Sequence, residues 1–339
     1  MMAFLAEYGM FFLKTITIVV AIIMVALGLF SVGARGRDER SSRIQLKKLN
    51  QYYDDMTFEI QQELAPRKQQ KKLLKAQKNK LKHEGKVEKN ESRVFVIEFH
   101  GDLRASAVSH LREEITAILL VANENDEVFV KVESPGGVVF GYGLAASQLQ
   151  RIRDKNIRLT ISVDKVAASG GYMMACVADH IIAAPFAIVG SIGVVAEMPN
   201  INRFLKKHDV DIELHTAGEY KRTLTVLGEN TDKAREKFRQ DLQDVHDSFK
   251  EFIQHNRPNL DVEKVATGEH WLASRALDLG LVDELKTSDD YLLAKKDEAE
   301  IIQIKHSKKR RLAEIINDQA AKLFSAKKML DDNPYNYLR

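Results

Sequence analysis

At 339 residues, 45% of them hydrophobic, the chain is long enough for two average domains, or one with long appendages, and has ample material for a core. A formal net charge of +3 does not mark a dedicated nucleic-acid binder. The single cysteine, Cys176, excludes an internal disulfide framework and any multi-cysteine metal site, and its apolar neighbours suggest a small buried hydrophobe.

From Ile16 to Val32 almost every residue is apolar, and with Lys14 snorkelling to the interface the run reaches back to Met10. Residues 10–32 therefore read as a transmembrane anchor behind a short N-terminal segment, residues 1–9. The rival reading is a cleaved signal peptide with Ser31-Val32-Gly33 before the cut, but a basic leading region is missing and the apolar run is long. Arg35, Arg37, Arg40, Arg43, Lys47 and Lys48 follow the span, which by the charge rule argues for a cytoplasmic body. Residues 33–90 form a charged, Lys-rich spacer. Its second half runs from Arg67 to Lys89 with only Glu84 and Glu88 in opposition; it lies either along anionic headgroups or in solvent as a helical or disordered linker.

At Arg93 the texture changes. Val94 to Phe99 reads as a strand, Ala107 to Val121 as a helix with Leu111, Ile115 and Ile118 at core spacing, and Val128 to Val132 as a second strand ending in Glu133-Ser134-Pro135-Gly136-Gly137. A helix from Gly141 to Lys155, a strand from Ile157 to Val163, a turn at Ser169, a helix from Tyr172 to Asp179 and a strand from His180 to Ala184 follow. Strands alternating with such helices imply an α/β fold of repeated βαβ units on a mainly parallel sheet, with ligands beyond the carboxyl ends of the strands. Pro135-Gly136-Gly137 and Ser169 should then share one edge. Further on, a helix near Asn200 to Lys207 leads to an expected strand, Asp211 to His215. Thr231 to Ile253 is an amphipathic helix whose stripe of Phe238, Leu242, Val245, Phe249 and Phe252 marks a core or subunit face. Ala273 to Leu279, closed by Gly280, is another helix. The domain is bounded at 91–290, and 291–339 reads as a charged extension in which Lys305 to Arg311 open a C-terminal helix.

A serine at a strand-to-helix turn is well seated for nucleophilic attack, with glycines letting a ligand approach the backbone and free N–H groups at the helix start. Such turns also occur for backbone reasons alone. A serine hydroxyl needs a base; His180, His208 and His215 stand in no recognisable triad context. Lysine serves if burial lowers its pKa, and Lys221, following Gly218, is the candidate, with the Ser191 hydroxyl as the group that holds its amine. The N–H of Gly170, with one from Gly136 or Gly137, would serve as oxyanion donors.

Ser134 to Gly137, Ala168 to Tyr172, Gly190 to Val194, Gly218 to Arg222 and Gly280 to Glu284 together resemble the signal peptide peptidase A family of Ser-Lys membrane peptidases, in the family's order. The resemblance runs from about Val94 to Leu285. It implies a ClpP/crotonase-like fold with Ser169 as nucleophile, Lys221 as general base and Ser191 orienting the lysine, the roles reached from chemistry. It also implies a single-pass protein of a bacterial inner membrane and a ring-like homo-oligomer, the serine and lysine of one site coming either from one chain or from neighbouring subunits. The best-known family members face outward from that membrane, whereas the charges after this anchor argue inward. The expected activity is a membrane-anchored serine endopeptidase with no cofactor or metal, an acyl-enzyme intermediate, and extended apolar peptides such as signal peptides or misfolded membrane-associated proteins as substrates; membrane lipid is a partner and nucleic acid is not. A peptide-binding scaffold without catalysis and a crotonase-type acyl-thioester enzyme are the rivals.

Overall fold

The computed structural model describes residues 9–19, 21–22, 42–66, 68–75 and 92–308. The chain divides into two units, Met1–Ile44 with His306–Arg339, and Gln45–Lys305. In the first unit, residues 9–19 and 21–22 are helical and expose Met10, Phe11, Phe12 and Leu13. Among the described residues no helix is long and apolar enough to cross a membrane; residues 20 and 23–32 of the expected anchor lie outside them.

The second unit holds most of a seven-stranded sheet. In chain order come β1 (Ser42–Lys48), α1 (Leu49–Leu64), β2 (Arg93–His100), α2 (Val108–Leu119), β3 (Glu127–Glu133), α3 (Val139–Arg153) and β4 (Arg158–Val163). Then follow β5 (Val166–Ala168), α4 (Gly170–Ala175), β6 (His180–Ala183), β7 (Ile188–Gly190), α5 (Asn202–Lys207), α6 (Asp232–Asn256) and α7 (Val262–Val265). The last elements are β8 (His270–Leu272), α8 (Ala273–Asp278), β9 (Glu284–Leu285), α9 (Ser288–Lys295) and β10 (Glu300–Lys308). The main sheet has the order β1-β10-β2-β3-β4-β6-β9, and its pairs from β10 to β9 are all parallel. A second, three-stranded sheet is ordered β5-β7-β8, with β7 and β8 antiparallel.

The apolar run Val94-Phe95-Val96-Ile97 is buried throughout, as a parallel strand covered on both faces requires. Val94, Val96, Phe129 and Ile182 pack with Leu49 of α1 and with Tyr291 and Leu292 of α9. Tyr291 stacks on Phe129 and donates its hydroxyl proton to Glu127 at 2.7 Å, so its one polar atom is satisfied. α2 packs on β2 and α3 on β4; α2 buries Leu111, Ile115 and Ile118, and α3 buries Ala145, Ala146, Leu149 and Ile152. Cys176 is buried as expected, its thiol donating to the Met173 carbonyl, and burial pushes its pKa up. Tyr172 donates to the Leu281 carbonyl at 2.9 Å, tying α4 to the Gly280–Glu284 motif.

Two expectations are corrected. The C-terminal stretch around Lys305 is a strand: β10 runs parallel to β2, with Ile301 opposite Val94 and fully buried. Charge density outweighed the apolar alternation there, and the globular unit extends past 290. Asp211 to His215 is not a strand; Ile212 and Leu214 are exposed and the segment pairs with no described strand. Part of the expected spacer also joins the core. The Asn50 side chain donates to the carbonyls of Lys296 and Ala299 and accepts from the Ile301 N–H at 2.7 Å.

Candidate active site

β3 ends at Glu133, and the next residue, Ser134, ties the main sheet to the small one. Its N–H donates to the Val166 carbonyl at 2.8 Å, and its carbonyl accepts from the Ala168 N–H at 3.0 Å. Pro135-Gly136-Gly137 is thereby brought against the turn at Ser169, as the parallel topology predicted. Gly136 has φ of +90°, and a Cβ there would lie 2.8 Å from Ser169 Cβ and 2.9 Å from the Gly170 nitrogen, so no other residue fits.

Ser169 occupies the step from β5 to α4 with φ 53° and ψ −117°, a conformation that costs a non-glycine residue about 1–3 kcal/mol. The surroundings hold it there: its N–H donates to the Gly190 carbonyl at 2.7 Å and its carbonyl accepts from Met173 at 2.9 Å. Its hydroxyl forms no hydrogen bond with the described residues. The N–H groups of Gly137 and Gly170 are likewise uncommitted among the described residues, whereas the Gly136 N–H donates to Ser134 Oγ at 3.1 Å. Of the two candidate donors on that loop, Gly137 is the open one.

Ser169, Ser191, Gly136, Gly137 and Gly170 line one cleft of about 800 Å³. Its remaining walls are largely apolar, with Leu103, Val139, Met173, Val245 and Phe249. Ser191 follows β7 with φ 53°, its N–H donating to the Glu269 carbonyl at 2.6 Å and its hydroxyl free among the described residues. Lys221 does not line this cleft. It is exposed within the irregular stretch 194–231, its N–H donating to the Gly218 carbonyl at 3.2 Å, and its amine has no partner among the described residues.

Of the histidines considered in the sequence, none lines the Ser169 cleft. His180, at the start of β6, lies 3.2 Å from Glu284, and His208 and His215 are exposed on the irregular stretch. His246, which sequence reasoning passed over, does line the cleft, and its Nε2 is buried without a partner among the described residues. Its spacing from Leu242 and Phe249, four and three residues along α6, was the available signal.

Models of peptidase family S49 match the chain almost end to end, the N-terminal one over residues 3–149 and the second over 151–302. The chain is 47% identical to a probable protease SohB of Haemophilus influenzae over 329 residues, 93% of each chain. It is 48% identical to a probable protease SohB of Buchnera aphidicola subsp. Schlechtendalia chinensis over 306 residues, 87% of this chain and all of that one. A third probable protease SohB, from Buchnera aphidicola subsp. Schizaphis graminum, is 46% identical over 345 residues, 97% of this chain and 100% of its own. Likeness over whole chains, with a free serine on a strained turn beside two open N–H groups, makes this chain a peptidase belonging to family S49.

Proposed function

We propose that the chain is a membrane-anchored serine endopeptidase that works through Ser169 and Lys221. The observation that carries the reading is the Ser169 hydroxyl, unpaired among the described residues, on a strained turn in an apolar cleft, with the Gly137 and Gly170 N–H groups open among those residues in the same cleft. Ser169 Oγ attacks the scissile carbonyl carbon while its proton passes to neutral Lys221 Nζ, and the oxyanion is met by the two N–H groups. The C–N bond breaks as Lys221 protonates the leaving amine. Lys221 then takes a proton from water, which attacks the ester and releases the acid as Ser169 Oγ is reprotonated. Ser191 holds the lysine amine.

A lysine works as a base at neutral pH only when desolvated. Lys221 is exposed in the single chain and therefore needs cover. The stretch that bears it exposes Val195, Phe204 and Leu214, apolar surface that supports a ring-like homo-oligomer in which a neighbouring chain brings its Lys221 to this Ser169. An apolar cleft suits extended, apolar peptides such as signal peptides or misfolded membrane-associated proteins. Anchoring in a bacterial inner membrane, with lipid as partner, is supported by the apolar run 10–32 and by Thr15 and Thr17, whose hydroxyls are satisfied within the helix by donating to the carbonyls of Phe11 and Leu13. Proteolysis of the C-terminus in intact spheroplasts would assign the side.

The presence of His246 in the cleft, where Lys221 is not, favours one second reading: His246 as the base, after a side-chain rotation. Hydrolysis of casein or an apolar peptide by the detergent-solubilised protein decides between them, with Ser169→Ala, Lys221→Ala and His246→Ala compared at matched oligomeric size. Loss in the first two alone supports the Ser–Lys pair; loss in the first and third transfers the base to histidine; no cutting by any form favours a peptide-binding scaffold.

A further inference from the structure

Ser134 and Tyr142 lie outside the chemistry just described, yet both are fully buried, and Ser134 bonds to Gly136 while Tyr142 lies against Gly170. The Tyr142 hydroxyl donates to the Asp102 carbonyl at 2.8 Å, so the 2.5 Å contact between Ser134 Oγ and Tyr142 Oη must carry the serine's proton. Ser134 Oγ in turn accepts from the Gly136 N–H at 3.1 Å. The result is a one-directional chain, Gly136 N–H to Ser134 to Tyr142 to the Asp102 carbonyl, with every hydroxyl both donating and accepting.

The same tyrosine touches the other side of the site. A Cβ at Gly170 would lie 2.3 Å from Tyr142 Cγ, so the ring lies directly against the Gly170 backbone. Phe99 packs edge-on to that ring at 6.4 Å between centroids. The chain's far end is also fixed: the Val138 N–H donates to the Leu103 carbonyl at 2.8 Å, and the Asp102 carboxylate accepts from Arg104 N–H, Ser106 N–H and Ser106 Oγ–H. The Ser106 hydroxyl is the main reason that carboxyl titrates below its usual range. Burial raises the Tyr142 pKa, which keeps the phenol neutral and able to donate.

We infer that Ser134 and Tyr142 are positioning residues that set the separation of the Gly137 and Gly170 donors: the phenol holds the Gly136–Gly137 loop through Ser134, while the ring holds Gly170. The inference rests on the peptidase reading for its catalytic meaning, although the holding of the loop is independent of it. A pair of donors serves the transition state only if both reach the position of the oxyanion, so losing the relay should cost turnover and spare ground-state binding.

The test uses Tyr142→Phe, which keeps the ring and removes the hydroxyl, Ser134→Ala, and the double variant, all in the full-length protein. The expected result is a fall in kcat of about 10- to 100-fold with KM within about twofold, and the double variant no worse than the poorer single one, because one network is broken in each. Inhibition by a peptide aldehyde, which forms a tetrahedral adduct, should weaken by the same factor as kcat/KM. Amide exchange at Gly136 should quicken in both single variants. Unchanged kcat, a loss confined to KM, or undiminished aldehyde binding overturns the positioning role. If wild type and Ser169→Ala are equally inactive, the peptidase reading itself fails; amide exchange then decides the relay alone, and unchanged exchange at Gly136 overturns it.

Discussion

Around Ser169 the backbone is held closely, with Ser134 bridging two sheets, Gly136 packed where a Cβ would clash with Ser169 and Gly170, and Tyr142 buried against Gly170. Along residues 194–231, only the short helix α5 interrupts irregular chain, which is held by a backbone bond from the Ile201 N–H to the Val226 carbonyl at 2.9 Å and by side-chain bonds. Asn200 donates to the carbonyls of Thr225 and Gly228, Asn202 to that of Leu227, and exposed pairs join Lys206 to Glu229 and Lys233 to Glu219. The first region is organised by burial within the chain. The second folds back on itself and leaves Val195, Phe204 and Leu214 exposed. On the proposed mechanism the nucleophile comes preorganised and the base depends on assembly.

The sharpest way to break that comparison is to separate the two halves. Ser169→Ala and Lys221→Ala should each lower peptide hydrolysis by at least about 1000-fold. Dissociating and reassembling the two dead variants together should restore part of the activity, since some sites would then pair an intact serine with an intact lysine; a mixture as inactive as its components would show that both residues act within one chain.

Next in size is a pair of glycine substitutions. Gly170→Ala forces a Cβ to 2.3 Å from the Tyr142 ring and should destabilise by about 3 kcal/mol, read from denaturant midpoints. Gly218→Ala meets nothing nearer than Lys221 Cβ at 4.0 Å, and only its positive φ opposes it, at about 1 kcal/mol. Equal losses at the two sites would contradict the claim that one region is packed and the other is not.

Acid should separate the regions as well. Burial alone would raise the pKa of Asp126, but the bidentate Arg93 guanidinium and the Asn123 N–H outweigh it and hold the carboxyl below its ordinary range. Asp283, paired with Arg257, behaves likewise. A carboxyl whose folded pKa lies below its unfolded value stabilises fully above the unfolded value and loses that contribution as the pH falls through the folded one. Stability should therefore begin to drop below about pH 4. In Asp126→Ala the neutral-pH stability should already be lower by about 3 kcal/mol and the acid slope shallower. Glu229 and Glu219 are also depressed, by Lys206 and Lys233, but in full contact with solvent; Glu229→Gln should leave the acid transition unmoved.

The smallest effect expected is at His246. Its buried Nε2 has no partner among the described residues, so His246→Leu should leave the unfolding free energy unchanged or raise it by up to about 1 kcal/mol. A clear loss of stability would mean that the nitrogen is satisfied in the native assembly.

Local pattern determined much of this protein. The alternation of buried strands and amphipathic helices from Val94 onward dictated a parallel sheet, and a parallel sheet collects its loops at one edge, which is why Ser169, Gly136 and Gly137 could be placed together from the sequence. Other features depended on contacts distant in the chain. β5, β7 and β8, three residues each, are strands only because they pair with one another, and β10 is a strand because β2 accepts it more than 200 residues from its own position. Which glycine N–H stays open was decided by Ser134 and Tyr142, and the entry of His246 to the cleft by the packing of α6. The motif around Lys221 named the lysine but not its distance from the serine, because residue identity sets chemistry while only the folded chain, and whatever covers it, sets the separation of two side chains.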